Sequence, residues 1–214
     1  MRVCLATGHD PNYSSLAAIT LPSWRNYCKK HGYYLLYDGE GTDKDACKVR
    51  LFQQAYATGN FGPDDVFCWV DTDGVCTNSD RRIESIVYEH MPRNIHFLIG
   101  VDVNEINSGF YIARFSPEAH LFLTVSTSLG AASGWGDQFS LKHTALEDPH
   151  RSIYKTVPGK VFNCNLYGEK GWSFLGEYGN YINAWEPGDF VAHPAGVEEP
   201  RRSQLLREVL AQAK

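Results

Sequence analysis

Short apolar runs alternate with longer polar-and-apolar segments in the first third of the chain. The apolar runs occupy residues 2–7, 33–38 and 64–71, which is the pattern of buried β-strands. The segments between them, 15–32 and 43–59, are predicted helices, and in the second the apolar residues recur at three- and four-residue spacing. The order strand–helix–strand–helix–strand predicts a parallel sheet with helices on its faces.

The first predicted helix carries signals for both of its ends. Ser14 or Ser15 can cap its N-terminus, and Gly32 is expected to stop it. Pro22 lies inside the segment and is expected to kink or break the helix, because proline lacks an N–H and crowds the preceding turn.

Beyond residue 78 the pattern predicts a sheet that is no longer purely parallel. A helix is predicted over residues 79–91 with Ser79 as its N-cap, followed by strands over 94–103 and 106–116. Because the connection between these two strands is short, we expect them to pair antiparallel and the sheet to be mixed.

The second half of the chain predicts helices separated by one long irregular segment. Helices are predicted over 117–130, 135–148 and 201–212. From 149 to 200 the chain is rich in Gly, Pro and aromatic residues, so we expect short strands at most, in loops that shape a cleft.

Charge and cysteine content limit the classes of function. The 214 residues carry a net charge of −5, so no general basic field is present and nucleic-acid binding is not expected. The 6 cysteines show no CxxC pair or zinc-like spacing, which favours a reducing compartment. No apolar run approaches the ~20 residues that cross a bilayer, and the N-terminus predicts a strand rather than a signal peptide. We therefore expect a soluble, cytoplasmic protein without a transmembrane segment.

Polar residues and a glycine follow each of the three strands that are predicted to be parallel. Thr7 and Gly8 end the first strand, Asp38 ends the second, and Asp71 and Asp73 follow the third. Ligands of parallel sheets bind beyond the carboxyl ends of the strands, so these residues are expected to share a cleft.

The segment CWVDTDGVCTN places two carboxylates one residue apart at the end of an apolar strand. Asp71 and Asp73 can simply serve turn and cap geometry. They can also bind Mg²⁺ or Mn²⁺, which relieves the repulsion between them and then takes diphosphate oxygens. In a third interpretation, the DxDG string resembles that of haloacid-dehalogenase-type phosphatases, with Asp71 as the nucleophile.

The context disfavours the phosphatase, which is kept as the alternative function. In those enzymes the string typically follows the first core strand, whereas two predicted strands and two predicted helices precede it here. The later strings GDQFSLK and GDFVAH do not supply the second acidic pair that such a phosphatase needs.

Four segments together resemble the family-34 glycosyltransferases, the galactosyl- and xylosyltransferase group. In chain order they are DTDGVCTN, NSGFYIAR, WGDQFSL and GDFVAHPAG. The length and the lack of an anchor segment look closer to the soluble, virus-encoded members that decorate capsid glycans in large algal viruses.

The resemblance implies an α/β fold of the GT-A type. A single domain over 1–214 would contain a mostly parallel, mixed central sheet flanked by helices. Residues 1–105 would form the nucleotide-binding half, 106–200 the donor-sugar and acceptor half, and 201–214 a C-terminal helix.

A metal site with ligands from distant parts of the chain is also implied. Asp73 would bind Mn²⁺ or Mg²⁺ directly, Asp71 would lie by the ribose and the metal with its waters, and His193 would be the third protein ligand. Considered alone, such a histidine is more often a surface or core residue, but the paired aspartates favour the ligand. Gly196 would let the backbone approach the diphosphate closely.

A set of nucleotide-binding residues follows from the same resemblance. Lys48 and Arg50 would contact the nucleotide or its phosphates, although a solvated helix face is the usual place for such a pair. Asp38 would accept from the base or the ribose, or could equally cap a turn. Together with Asp71 and Gly196, the residues expected at the nucleotide are Thr7, Gly8, Asp38, Lys48, Arg50 and Thr72.

The donor sugar would lie between two walls of the cleft. Asn107 can hydrogen-bond sugar hydroxyls, and Asp137 with Gln138 is the catalytic candidate near the anomeric carbon. At a helix N-terminus, Asp137 could also be only a dipole-stabilised cap. One wall comprises Asn107, Ser108 and Gly109, and the other comprises Trp135, Asp137 and Gln138.

The implied reaction is transfer of a hexose-like sugar from a nucleotide diphosphate donor, expected to be a UDP-sugar, to a glycan or glycoprotein hydroxyl. The resemblance implies retention of configuration, whereas inversion would need a carboxylate base beside the acceptor, and Asp137 fits either role. A non-catalytic sugar- or nucleotide-binding module is the remaining hypothesis.

Overall fold

The computed structural model describes residues 1–39, 44–102, 105–134, 136–147, 150–166 and 183–213. Within these ranges, no helix combines the length and the apolar character needed to span a membrane. The strands are β1 (Val3–Gly8), β2 (Tyr34–Asp38), β3 (Val66–Val70), β4 (Val75–Cys76), β5 (Phe97–Asp102), β6 (Glu105–Arg114), β7 (Tyr154–Pro158), β8 (Cys164–Asn165) and β9 (Val191–His193). The helices are α1 (Ser14–His31), α2 (Lys44–Ala57), α3 (Ile83–His90), α4 (Pro117–Ser133), α5 (Asp137–Leu146) and α6 (Arg201–Leu210).

The larger sheet has the strand order β2-β1-β3-β6-β5-β7. β1 runs parallel to β2 and to β3, which confirms the predicted parallel opening. β6 is antiparallel to β5, as the short connection predicted, and also to β3, while β7 is parallel to β5. The sheet is therefore mixed but mostly parallel, and the α/β prediction is confirmed.

Helices cover both faces of this sheet. On one face Val66, Cys68 and Val70 of β3 join a buried cluster with residues of α1 and α3. On the other face Phe67 and Trp69 join a cluster with residues of α2, α4 and α5. Because β3 is buried on both sides, its sequence is a continuous apolar run rather than an alternating one.

α1 is one continuous helix through Pro22, so of the predicted kink or break the break is wrong. Buried contacts of Leu21 and Trp24 hold the helix against the core, which offsets the hydrogen bond that a proline cannot make. Gly32 ends the helix in the left-handed conformation with φ at +70°, as predicted.

Two predicted N-caps are also wrong. No side chain caps α1, and the Ser14 hydroxyl donates instead to the Pro11 carbonyl oxygen at 2.9 Å. α3 begins at Ile83 rather than after Ser79. The Ser79 hydroxyl accepts a hydrogen bond from Lys30 Nζ at 2.9 Å, so a tertiary contact replaces the local cap.

A smaller sheet brings the end of the chain to the carboxyl ends of β1 and β3. Its order is β4-β9-β8, with β4 antiparallel and β8 parallel to β9. β4 follows the turn that carries Asp71 and Asp73, and β9 carries His193. α6 packs on this sheet and on α1 through Leu205 and Leu206. This arrangement places α6 and β9 beside the paired aspartates.

Trp24 links α1 to the turn that follows β3. Its ring is buried against Phe110 and Phe190, and its Nε1–H donates to the Gly74 carbonyl oxygen at 2.9 Å.

Trp24→Ala is expected to lower the free energy of unfolding by about 3–5 kcal/mol, because it leaves a cavity in the core. The control Leu121→Ala, at an exposed position of α4, is expected to change it by at most about 0.5 kcal/mol. Chemical denaturation measures both, and equal losses would contradict this description of the core.

Candidate active site

A cavity of about 250 Å³ opens at the carboxyl ends of β1 and β3, against the first residues of β6. It therefore lies where the parallel part of the sheet predicted a cleft. The predicted site residues that line it are Gly8, Lys48, Asp71, Thr72, Asp73, Asn107, Ser108, Gly109, Asp137, Gln138, His193 and Gly196.

Three other predicted site residues, Thr7, Asp38 and Arg50, do not line this cavity. Thr7 is buried within β1. Asp38 and Arg50 form an ion pair with each other, so the Asp38 carboxylate has a partner within the chain. Trp135 lies outside the described residues. The nucleotide- and sugar-binding roles of these residues stay predictions.

A tight turn after β3 aims both aspartates at the cavity. The Asp71 N–H donates to the Gly109 carbonyl oxygen at 2.8 Å, and the Gly74 N–H donates to the Asp71 carbonyl oxygen at 2.8 Å. Between the aspartates, the Thr72 hydroxyl donates to the Gly8 carbonyl oxygen at 2.7 Å. Because Thr72 is fixed from inside the fold, the side chains on either side of it are fixed as well.

Asp71, Asp73 and His193 form a group whose ligand atoms all lie within 4.8 Å of one another. His193 Nε2 lies 3.1 Å from Asp73 Oδ1. Asp73 and His193 are buried, whereas Asp71 is half-buried on the cavity side. Two carboxylates and one imidazole are an ordinary donor set for Mn²⁺, and oxygen donors suit Mg²⁺, so the residues present fit a divalent cation.

The charged groups around Asp73 strongly favour the ionised form of its carboxylate. Burial alone would raise the pKa of Asp73, but the neighbouring His193 and Arg202 outweigh it and lower that pKa to about 2. Burial likewise acts to lower the pKa of His193, and Asp73 reverses this and raises it above the ordinary value. Asp73 and His193 therefore stabilise each other's charged forms, and a cation could take the place of the proton that lies between them.

Lys48 does not lie on a solvated helix face, because its side chain is only 6% exposed. Its Nζ lies 2.9 Å from Asp71 Oδ1 and 2.5 Å from Asp137 Oδ2, and it donates to the Ser108 carbonyl oxygen at 3.3 Å. Burial would lower the pKa of Lys48, but the two carboxylates raise it above the usual range. Lys48 is therefore a permanent positive charge between two aspartates.

Asp137 and Gln138 begin α5 on the opposite wall of the cavity. Burial would raise the pKa of Asp137, yet Lys48 outweighs it and lowers that pKa below the ordinary value. Gln138 Oε1 accepts a hydrogen bond from the Ser108 N–H at 3.4 Å. This bond ties α5 to β6, so the two predicted sugar-binding walls are connected.

The sequence did not identify Arg202 as a site residue. Its Nη1 lies 3.3 Å from Asp73 Oδ2, and its Nε–H donates to the Val197 carbonyl oxygen at 2.5 Å. The segment EEPRR reads as the polar start of an amphipathic surface helix, so no local pattern marked it. The other lining residues that the sequence did not identify are His9, Tyr13, Trp69 and Ala195.

Gly109 faces the ring of His193 and leaves no room for a side chain. An added Cβ would lie 2.2 Å from His193 Cε1 and 2.6 Å from its Nδ1. Gly109→Ala is therefore expected to displace the imidazole from Asp73 and to weaken Mn²⁺ binding by at least ~10-fold. Gly100→Ala is the matched control, since a Cβ at that buried strand glycine would meet nothing nearer than 3.5 Å.

Electron paramagnetic resonance of free Mn²⁺ measures both affinities. The control is expected to bind Mn²⁺ as the unmodified chain does. Unchanged binding by Gly109→Ala would show that the position of the His193 ring does not matter to the cation.

Known proteins resemble this chain in fold rather than in sequence. No protein-family model and no curated protein matches it. Among solved structures, a glycosyltransferase involved in the glycosylation of the major capsid of PBCV-1 is similar over 97% of this chain and 100% of its own, with a TM-score of 0.71 and 20% identity.

Two further glycosyltransferase structures align over nearly the whole chain. The galactosyltransferase LgtC is similar over 99% of this chain and 96% of its own, with a TM-score of 0.56 and 9% identity. Mouse xyloside xylosyltransferase 1 is similar over 91% and 97%, with a TM-score of 0.51 and 11% identity. Identities this low establish the fold alone, and the specific resemblances to family 34 and to algal-virus proteins stay predictions. The chain has the fold of the GT-A glycosyltransferases.

Proposed function

We propose that this chain is a metal-dependent glycosyltransferase that moves a hexose-like sugar from a UDP-sugar to a hydroxyl of a glycan or glycoprotein. The observation that carries the proposal is the group of Asp71, Asp73 and His193, which faces a cavity at the carboxyl end of the sheet in a glycosyltransferase fold. Mn²⁺ or Mg²⁺ on these ligands would neutralise the charge that the diphosphate gains as it leaves.

Arg202 is the cation best placed for the diphosphate. It lines the cavity beside Asp73, and its Nε–H is already fixed by the Val197 carbonyl oxygen. A guanidinium held in this way presents its remaining N–H groups in a planar fork that suits phosphate oxygens. Gly196, at φ +74°, adopts a left-handed backbone conformation on the same side of the cavity, which fits a close approach of backbone to phosphate.

We assign Lys48 to holding the carboxylates of the site in place rather than to binding phosphate directly. Its ammonium group is shared between Asp71, Asp137 and the Ser108 carbonyl oxygen. It thereby removes the repulsion between carboxylates that would otherwise face each other across the cavity. The site can then hold one cation and one diphosphate without an unpaired buried charge.

The donor sugar is proposed to lie between β6 and α5. Asn107 and Ser108 lie on one side, and Asp137 and Gln138 lie on the other. The ionised Asp137 can stabilise the positive charge that develops at the anomeric carbon. Its Oδ2 already lies 2.5 Å from Lys48 Nζ, which suits a fixed, charge-stabilising carboxylate, and retention enters the proposal through the family resemblance.

Nothing in the described residues favours the phosphatase. Asp71 Oδ1 accepts from Trp69 Nε1–H at 2.6 Å and contacts Lys48 Nζ at 2.9 Å. A carboxylate oxygen that already accepts from two donors is a weaker nucleophile, because these contacts stabilise its negative charge. The phosphatase and the non-catalytic binding module therefore serve as contrasting outcomes of the activity test.

The activity test follows free nucleoside diphosphate from a panel of UDP- and GDP-sugars with Mn²⁺ or with EDTA. Release from a UDP-sugar is expected with Mn²⁺ and not with EDTA. Asp73→Asn and His193→Ala are expected to lower kcat/KM by at least ~100-fold, because each removes a ligand that supports stabilisation of the leaving group. Asp80→Asn, at a solvent-exposed carboxylate, is the control and is expected to have no effect.

Two other results would overturn the proposal. Hydrolysis of p-nitrophenyl phosphate that is lost in Asp71→Asn identifies a phosphatase. Binding of UDP-sugars with neither transfer nor hydrolysis identifies a binding module.

The role of Arg202 separates donor binding from cation binding. Arg202→Met is expected to raise KM for the donor by ~10-fold or more, because it removes charge-assisted hydrogen bonds to the diphosphate. Its Mn²⁺ affinity is expected to be equal or tighter, since a positive charge beside Asp73 is removed. Arg207→Met, an exposed position on the same helix, is the matched control. A parallel loss of donor and Mn²⁺ binding in Arg202→Met would instead assign Arg202 to holding Asp73.

A further inference from the structure

A chain of hydrogen-bonded side chains runs from Asp102, the last residue of β5, to the His193 ring. Asn107 Nδ2 donates to Asp102 Oδ2 at 2.7 Å, and Asn163 Nδ2 donates to Asn107 Oδ1 at 2.9 Å. Asn163 Oδ1 lies 3.1 Å from His193 Nδ1. Asn107, Asn163 and His193 are each at least nine-tenths buried, so their polar groups depend chiefly on partners within the chain.

The direction of every bond in this chain is determined by one backbone group. The Gly109 N–H donates to Asn107 at 2.8 Å, and a backbone N–H can only donate, so that end of the Asn107 amide is the oxygen. The same oxygen faces Asn163, whose near end must therefore be the NH₂ group. The far end of Asn163 is then its carbonyl oxygen, which can only accept, and the hydrogen bond to His193 Nδ1 requires a proton on that nitrogen.

We propose that Asn163 is a positioning residue that keeps the proton of His193 on Nδ1 and directs Nε2 toward Asp73 and Asp71 as the metal-binding atom. This inference rests on the proposed function, because it explains how the fold holds His193 in the orientation of a metal ligand. A ligating histidine generally depends on the hydrogen bond at its other nitrogen for tautomer and ring orientation.

Competition between two acceptors gives Asn163 this role. Asp73 Oδ1 lies 3.1 Å from Nε2 and attracts a proton to the nitrogen that a cation must occupy. A cation held by Asp73 and His193 would need the lone pair of Nε2, and Asn163 Oδ1, 3.1 Å from Nδ1, would hold the remaining proton on that other nitrogen. A flipped ring would set a C–H group against Asn163 Oδ1 and lose this bond.

Three substitutions separate positioning from packing. Asn163→Leu keeps the approximate volume and removes the acceptor, so Mn²⁺ affinity is expected to fall by ~10–100-fold. Asn163→Asp keeps an acceptor for the Nδ1 proton, so its Mn²⁺ affinity is expected to stay well above that of the leucine variant. Asn183→Leu is the matched control, since Asn183 is also buried but binds the Val101 carbonyl oxygen and the Lys160 N–H rather than His193. It is expected to lose stability and to keep its Mn²⁺ affinity.

Stability is expected to follow a different order from affinity. Asn163→Asp buries a carboxylate against Asn107 Oδ1, so its Tm is expected to be no higher than that of Asn163→Leu. A residue that acts only by packing would give Mn²⁺ affinities in the same order as the Tm values. That result, or unchanged Mn²⁺ binding by Asn163→Leu, overturns the inference.

Nitrogen NMR of the labelled chain bound to diamagnetic Cd²⁺ supplies a readout independent of activity. The His193 resonances are expected to show the metal on Nε2 and a slowly exchanging proton on Nδ1, and Asn163→Leu is expected to lose the slow exchange. Metal on Nδ1 overturns the inference while leaving the proposed function intact. Failure of the unmodified chain to bind Mn²⁺ or Cd²⁺ overturns the metal site of the proposed function together with this inference.

Discussion

Three carboxylates converge at one end of a buried sheet, and the structure depends on the positive charges that hold them there. Lys48 lies between Asp71 and Asp137, while His193 and Arg202 contact Asp73. Carboxylates this close repel one another in a low-dielectric cavity unless cations intervene. Three separate elements (α2, β9 and α6) supply these cations, while α5 supplies Asp137, the carboxylate that faces the turn after β3.

The same charge arrangement is compatible with the nucleotide-sugar donor of the proposed reaction. The protein's own cations balance the carboxylates, and a divalent cation in place of the Asp73–His193 ion pair leaves the cavity with positive character toward a diphosphate. The sugar would then lie against Asp137, where the ionised carboxylate faces a carbon that becomes positive in the transition state. One set of buried charges thus serves both halves of the proposed reaction.

Patterns that arise from local packing could be predicted from the sequence. The apolar runs of β1 and β3 and the short β5–β6 connection were sufficient for the parallel opening and the mixed sheet, because burial on both faces leaves a continuous apolar signature. The paired aspartates were candidates because of their carboxylate chemistry, His193 was a candidate through the family resemblance, and the fold brings the three together. The break that Pro22 could have caused does not occur, because tertiary packing outweighs a single missing helix hydrogen bond.

Features that depend on contacts between distant parts of the chain produce no pattern in the local sequence. Arg202 lies on a helix that pattern alone assigns to the surface, and Asn163 precedes a strand of only two residues, β8, too short for any periodicity. Ser79 has an ordinary capping sequence, but its hydroxyl accepts a hydrogen bond from Lys30, which is distant in sequence. Such residues become visible only when the backbone has brought them together.

Anomalous X-ray scattering from crystals soaked in Mn²⁺ tests the central claim most directly. The account predicts one strong anomalous peak within coordination distance of an Asp73 carboxylate oxygen and of His193 Nε2, with Asp71 beside it. Crystals that take up Mn²⁺ elsewhere while the Asp73–His193 ion pair stays intact would contradict it.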